Sequence, residues 1–139
     1  MQIQRIQTLY LLIAAIFTGL FCFFPYATIS VSETETTQVL VYESPVLLIL
    51  NITITALLFI TMFMYRNLKQ QIKLCMVDIA LILGSIVTTL LYIYVGQFKA
   101  IPAFNGGAIL LCLAFAFSIA ALRGMKHDKK LLSSADRLR

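Results

Sequence analysis

Four long apolar runs leave this chain few ways to fold. They occupy residues 9–24 (continued through Pro25 to residue 27), 46–65, 74–96 and about 104–122. A helix rises about 1.5 Å per residue, and the hydrocarbon layer of a bilayer is about 30 Å thick. Each run therefore spans once as a helix, the first only just. The composition agrees. Of 139 residues, 60% are hydrophobic and 12% charged, against about 25% charged in an ordinary soluble domain. Too few charged groups remain to cover such a domain in water. A barrel is excluded as well, because barrel strands are about ten residues of alternating polarity, and these runs do not alternate. Arg5 followed at once by an apolar core is also the opening of a secretory leader. However, Phe21, Cys22, Phe23 and Phe24 stand where cleavage needs small residues, so the first run is expected to stay as a helix.

The basic residues fix an orientation. Arg5 precedes the first run, Arg66, Lys69 and Lys73 separate the second from the third, and Arg123, Lys126, Lys129, Lys130, Arg137 and Arg139 follow the fourth. Only Lys99 falls on the other side, with Glu33, Glu35 and Glu43. By the positive-inside rule both termini are cytoplasmic, and an even number of crossings returns the chain to the side it started from. The net charge of +5 is then absorbed by topology and by anionic head groups, so membrane lipids are expected partners and nucleic acid is not.

The connections complete the expectation. Residues 28–44 hold two β-prone stretches, 28–32 and 38–42, around the polar Glu33-Thr34-Glu35-Thr36-Thr37. They read as a small hairpin on the outer surface, or as an irregular linker if packing support is lacking. Pro45 suits the first turn of the second helix. Short turns at 66–73 and 99–107 force neighbouring helices to run antiparallel. Leu131, Leu132, Ala135 and Leu138 recur near helical spacing opposite a basic face, as in a helix lying on the cytoplasmic membrane surface. The N-terminal segment has a similar face in Ile3, Ile6 and Tyr10. The expected fold is thus an all-α membrane protein with a single integral membrane domain over residues 1–139. Its core is an antiparallel four-transmembrane-helix bundle with helices at about 8–27, 46–65, 74–96 and 104–122. A short extracytoplasmic loop or β-hairpin occupies 28–45, and a cytoplasmic amphipathic tail 123–139.

Inside the spans, Asp78 is the single acidic residue. A carboxylate at the middle of a membrane helix costs roughly 2.5–3.5 kcal/mol on insertion scales, so it needs a partner or a task. Ser85, Thr88 or Thr89, Tyr92 and Gly96 follow it near helical spacing. The candidate intramembrane polar site is Asp78, Ser85, Thr89 and Tyr92. The second helix adds Asn51 and Thr55, and the first adds Thr18, Gly19, Cys22 and Tyr26. Two readings compete for Asp78: a proton or cation relay, or pairing with Arg5, Arg66, Lys69 or Arg123 at the inner rim. The simpler pairing is preferred, because only one carboxylate is present and no Lys, Arg or His accompanies it within the spans. Ala114/Ser118 and Ala116/Ala120 are small-xxx-small pairs that let helices approach closely, either within the bundle or between copies.

Catalytic patterns are missing. Cys22, Cys75 and Cys112 are scattered, His127 is the lone histidine, and no zinc, phosphate-loop or nucleophile-elbow pattern occurs. No enzyme activity, cofactor or metal is expected.

The opening Ile3-Gln4-Arg5-Ile6-Gln7-Thr8-Leu9-Tyr10-Leu11-Leu12 and the closing Ser134-Ala135-Asp136-Arg137-Leu138-Arg139 resemble an uncharacterised Bacteroidota family of small four-helix integral membrane proteins of unknown function. That resemblance implies a bacterial inner-membrane location and adds no activity. It draws attention to a candidate cytoplasmic docking rim of Arg5, Arg66, Asp136, Arg137 and Arg139, with Asp136 free to pair with Arg139 or to clasp Arg5. The function expected is that of a small inner-membrane protein of structural, accessory or partner-binding type. Other membrane proteins, or a second copy of the chain, are its expected partners. The alternative is a small oligomeric transporter or ion-coupled channel using Asp78. An enzyme acting on a lipid or quinone is a weaker third reading.

Overall fold

The computed structural model describes residues 2–30, 36–95 and 103–137; for residues 2–5, 29–30, 36, 103–104 and 136–137 the description is of the backbone alone. Four helices, α1 (Gln2–Phe21), α2 (Pro45–Phe63), α3 (Leu68–Val95) and α4 (Gly106–Arg137), form the body. Three short strands cap one end: β1 (Ala27–Ser30), β2 (Thr36–Val39) and β3 (Ala103–Phe104). A single 3-10 turn, Val41–Glu43, leads into α2.

Local chemistry sets the helix ends. The amides of Phe23 and Phe24 close on the Leu20 carbonyl at 2.9 and 3.2 Å, and then Pro25 brings no amide to continue the ladder. α1 therefore stops at Phe21, short of the expected residue 27. Pro45 takes the first position of α2, where an amide would have had no partner. After Phe63 the chain turns through Asn67, whose carbonyl accepts the Gln71 amide at 2.9 Å and opens α3. The segment expected as a tight basic turn is thus mostly helix. Gln71 and Ile72 are buried while Lys69 and Lys73 stay exposed, so polar residues there mark a helix face and not a loop.

α1 packs on α2 and α4, and α3 packs on α2 and α4, closing a ring of four helices. Phe117 of α4 sits between Tyr10 and Phe17 of α1, with ring centroids 6.0 and 5.7 Å apart. Pro45–Phe63, Leu68–Val95 and Gly106–Ala135 are long and apolar enough to cross a membrane. The apolar part of α1, Ile6–Phe21, is shorter; at about 1.5 Å per residue it covers about 24 Å. The outward faces are apolar: Phe63 is 69% and Ile49 66% exposed, while Asn51, Asp78, Ser85 and Ser118 are buried. This inversion suits hydrocarbon surroundings.

The tail departs from expectation. α4 runs unbroken through Arg137, about 48 Å of helix, and not as a span followed by a separate surface helix. Ala121, Met125 and Asp128 are buried at helical spacing beyond residue 120. This inward stripe packs along the N-terminal half of α1 as far as Asp128, and residues 129–135 beyond it are exposed. The same packing buries Gln7 and Leu11 in that half of α1 and leaves Ile6 exposed.

At the opposite end the expected hairpin is present: β1 pairs antiparallel with β2, Ala27 opposite Val39 and Ser30 opposite Thr36. Residues 31–35 at its tip lie outside the described residues. The second outer connection then adds β3 to the other edge of β1, giving the order β2-β1-β3. The Tyr26 amide donates to Val39 O, and the Asn105 amide donates to Tyr26 O, both at 3.1 Å. Asn105 Nδ2 donates to Thr28 Oγ1 at 2.6 Å. The start of α4 presses against the end of α1, and a Cβ at Gly107 would lie 2.6 Å from Pro25 O. Only glycine permits that approach.

Gly107→Ala should therefore lower stability by about 1–3 kcal/mol through overpacking. At Gly106 an added methyl would meet nothing within 4 Å, so Gly106→Ala should stay within about 0.5 kcal/mol. Thermal unfolding of the two variants in the same detergent checks this, and equal shifts would contradict the close approach.

Candidate functional site

Polar side chains inside the ring form two groups and an inner clasp. The outer group joins α1, α2 and α3. Thr55 Oγ1 of α2 donates to Thr18 Oγ1 of α1 at 3.0 Å, and Thr18 Oγ1 donates back to Ala15 O at 3.0 Å. One turn earlier on α2, Asn51 Nδ2 donates to Leu47 O at 2.9 Å and to Ser85 Oγ of α3 at 3.1 Å. Thr89 Oγ1 donates to Ser85 O at 2.8 Å, the local bond that lets a hydroxyl sit in an apolar helix without an unpaired proton.

The second group surrounds Asp78. Thr61 Oγ1 of α2 donates to Asp78 Oδ2 at 2.8 Å and lies 2.8 Å from Leu57 O. Gln71 Nε2 donates to the carbonyl of the same Thr61 at 3.2 Å. Cys75, one turn from Asp78, donates its thiol to Ser118 O of α4 at 3.6 Å. Asp78 Oδ1 is buried without a partner. Among the described residues no cation bonds to Asp78, so a hydroxyl stands in place of the pairing expected with Arg66, Lys69 or Arg123, and the side chain of Arg5 lies outside the described residues. The reason is placement: Asp78 faces α2 inside the ring, whereas Arg66, Lys69 and Arg123 are exposed.

The expected polar site is thus divided. Asp78, Ser85 and Thr89 share the buried face of α3, but Asp78 and Ser85 bond to different partners. Tyr92 lies on the exposed side. Of the small-residue pairs on α4, Ala114 and Ser118 are buried and Ala116 is exposed. Arg66 of the expected docking rim is exposed beside the α2–α3 turn. Arg139 lies outside the described residues, as do the side chains of Arg5, Asp136 and Arg137.

The inner clasp is the feature that sequence reasoning missed. Gln7 Nε2 of α1 donates to Asp128 Oδ2 of α4, with both residues buried. Gly124 lies one turn before Asp128, and a Cβ there would come within 3.0 Å of Gln7 Cγ. The glycine leaves the room Gln7 fills. The spacing Gly124/Asp128 on a helix expected to be surface-bound was the available signal. Near the strands, burial pushes the Tyr26 phenol above its ordinary value, with Tyr92 and Glu43 adding to the shift. Its hydroxyl is buried without a partner.

A family model described as Domain of unknown function (DUF4293) matches residues 3–138. The chain belongs to that family. No curated protein and no solved structure matches the chain. Among the described residues there is no cluster of three or more His, Cys, Asp or Glu side chains that could hold a metal ion, and the three cysteines are free. No nucleophile–base pair is gathered among the hydrogen bonds described. What the arrangement does chemically is hold helices together: each interior bond between elements joins neighbours in the ring.

Gln7→Leu leaves the Asp128 carboxylate buried without its donor and should cost about 1–3 kcal/mol. The double variant Gln7→Leu/Asp128→Leu removes both partners and should recover most of that loss. Chemical or thermal unfolding of the three proteins in detergent reads the cycle, and additive losses would refute the clasp.

Proposed function

We propose that this chain is a small inner-membrane protein of structural, accessory or partner-binding type, crossing the bilayer four times with both termini in the cytoplasm. The observation that carries the reading is the use made of the polar interior. Side chains of the kind that line a transport path or a reaction centre are here bonded between adjacent helices: Thr55 to Thr18, Asn51 to Ser85, Thr61 to Asp78. Three apolar helices of membrane length support a multi-pass protein. The position of α1, packed between α2 and α4, supports a fourth crossing despite its shorter apolar stretch. In the sequence, ten of the eleven basic residues precede the first apolar run, separate the second from the third or follow the fourth, which supports the cytoplasmic assignment for that side. The resemblance at both termini supports a Bacteroidota host.

With little of the chain outside the apolar belt, the basic inner end is the surface left for a partner. Arg5, Arg66, Asp136, Arg137 and Arg139 form the proposed docking rim, and other membrane proteins or a second copy of the chain are the proposed partners. Head groups of anionic lipids meet the same end. Gentle-detergent purification of the tagged chain from its host should bring down a specific protein. Replacing Arg137 and Arg139 by Ala should cut its recovery about tenfold or more, as loss of two charged contacts implies, with membrane insertion unchanged. Undiminished recovery would overturn the rim.

A further inference from the structure

The turn between α2 and α3 faces the far end of α4 across a cleft of about 540 Å³. Arg66, Lys69 and Lys129 line it, and Leu68 and Leu132 supply its apolar surface. Among the described residues no carboxylate lines it. The three cations are exposed, so none is consumed by a buried partner. The backbone adds to the positive field. The first helical bond of α3 runs from the Gln71 amide to Asn67 O, so the amides of residues 68, 69 and 70 precede it and have no partner inside the helix. A helix start beside three cations is a site for an anion.

The position of the cleft says which anion. The apolar stretch of α2 ends at Phe63, itself 69% exposed, one turn before Arg66. The cleft therefore lies where the apolar belt stops. Its far wall carries Leu132, 55% exposed, next to Leu131 at 49%. Water gives no reason for exposed leucines beside lysines. An amphiphile does, because its charged group meets the cations while its hydrocarbon enters the adjoining belt. Free phosphate uses only half of this surface.

We propose that the cleft seats the phosphodiester head group of an anionic phospholipid between Arg66, Lys69 and Lys129. The bound lipid ties the α2–α3 turn to the end of α4. The two segments are distant in sequence. This inference rests on the reading of the chain as a membrane protein, and it deepens the general expectation of lipid contact by naming a site.

The test uses the full-length chain in a mild, uncharged detergent, with native mass spectrometry counting retained lipid. The probes are phosphatidylglycerol, phosphatidylcholine and inorganic phosphate. Phosphatidylglycerol should bind and phosphatidylcholine should not. The triple variant Arg66→Gln/Lys69→Gln/Lys129→Gln should bind about a hundredfold more weakly, from about fivefold per cation. A second triple variant, Arg123→Gln/Lys126→Gln/Lys130→Gln, removes the same charge from exposed positions outside the cleft and should retain most of the affinity. Equal losses in the two variants would reduce the effect to general electrostatics and overturn the site. Inorganic phosphate displacing phosphatidylglycerol at equal concentration would overturn the lipid as its occupant. Both variants change exposed side chains, and circular dichroism verifies that each stays helical. Failure here leaves the four-crossing reading intact, while a chain that stays soluble without detergent would show that reading itself to be at fault.

Discussion

The structure depends on the difference between what hydrocarbon and water do to a polar group. A backbone amide or carbonyl left unpaired in lipid costs several kcal/mol, so a segment in the bilayer is driven to pair every one of its own groups, and helix does this locally. The apolar side chains then have no reason to hide. Ile49, Phe63 and Tyr94 face outward while Asn51, Ser85 and Asp78 face inward. Association between such helices gains little from the hydrophobic effect and comes from close packing and interhelical hydrogen bonds. That is the division of labour seen here. Small residues on α4, Ala114, Ser118 and Ala121, allow approach, and the bonds Thr55 to Thr18, Asn51 to Ser85 and Thr61 to Asp78 fix which faces meet.

The two ends of the ring are closed by different means. On the side of the strands, both long connections contribute backbone to one small sheet, and Tyr26 is its hinge, giving its amide to Val39 and its carbonyl to Asn105. A two-stranded hairpin alone is marginal in water. The third strand and the contact of Gly107 with Pro25 join it to the helices and supply the support it needs. On the other side the closure is helical. The extension of α4 continues along α1, and the buried pair Gln7 and Asp128 holds the two together. α4 is therefore part of the bundle as far as Asp128, which carries its 32 residues beyond what a bilayer requires.

Much of the architecture was legible in the sequence because the strongest signals are averages. Apolar runs of membrane length announced the helices, and two β-prone stretches around a polar turn announced the hairpin. Single polar residues within those runs stood out for the same reason, so Asp78, Asn51, Thr55, Thr18 and Ser85 were identifiable before their bonds were seen. Their pairing was not, since it depends on the rotation of each helix about its own axis. Thr61, Gln71 and Asp128, and the bonding of Gln7, escaped notice because they lie toward or beyond the ends of apolar stretches, where polar residues are ordinary. The same ambiguity displaced the helix boundaries. Lys69 and Lys73 looked like a turn, although Gln71 and Ile72 between them are buried. Strand β3 has two residues, too few for any periodicity to reveal.

The central claim is that hydrocarbon surrounds this ring and that its basic end faces the cytoplasm. The most direct measurement fuses to each terminus in turn a reporter pair, one active only in the cytoplasm and one only outside it, and reads both in intact cells. The account predicts cytoplasmic activity at both the N- and C-termini, with all of the chain in the membrane fraction. Termini on opposite faces would contradict four crossings, and a chain recovered from the soluble fraction would contradict the membrane altogether.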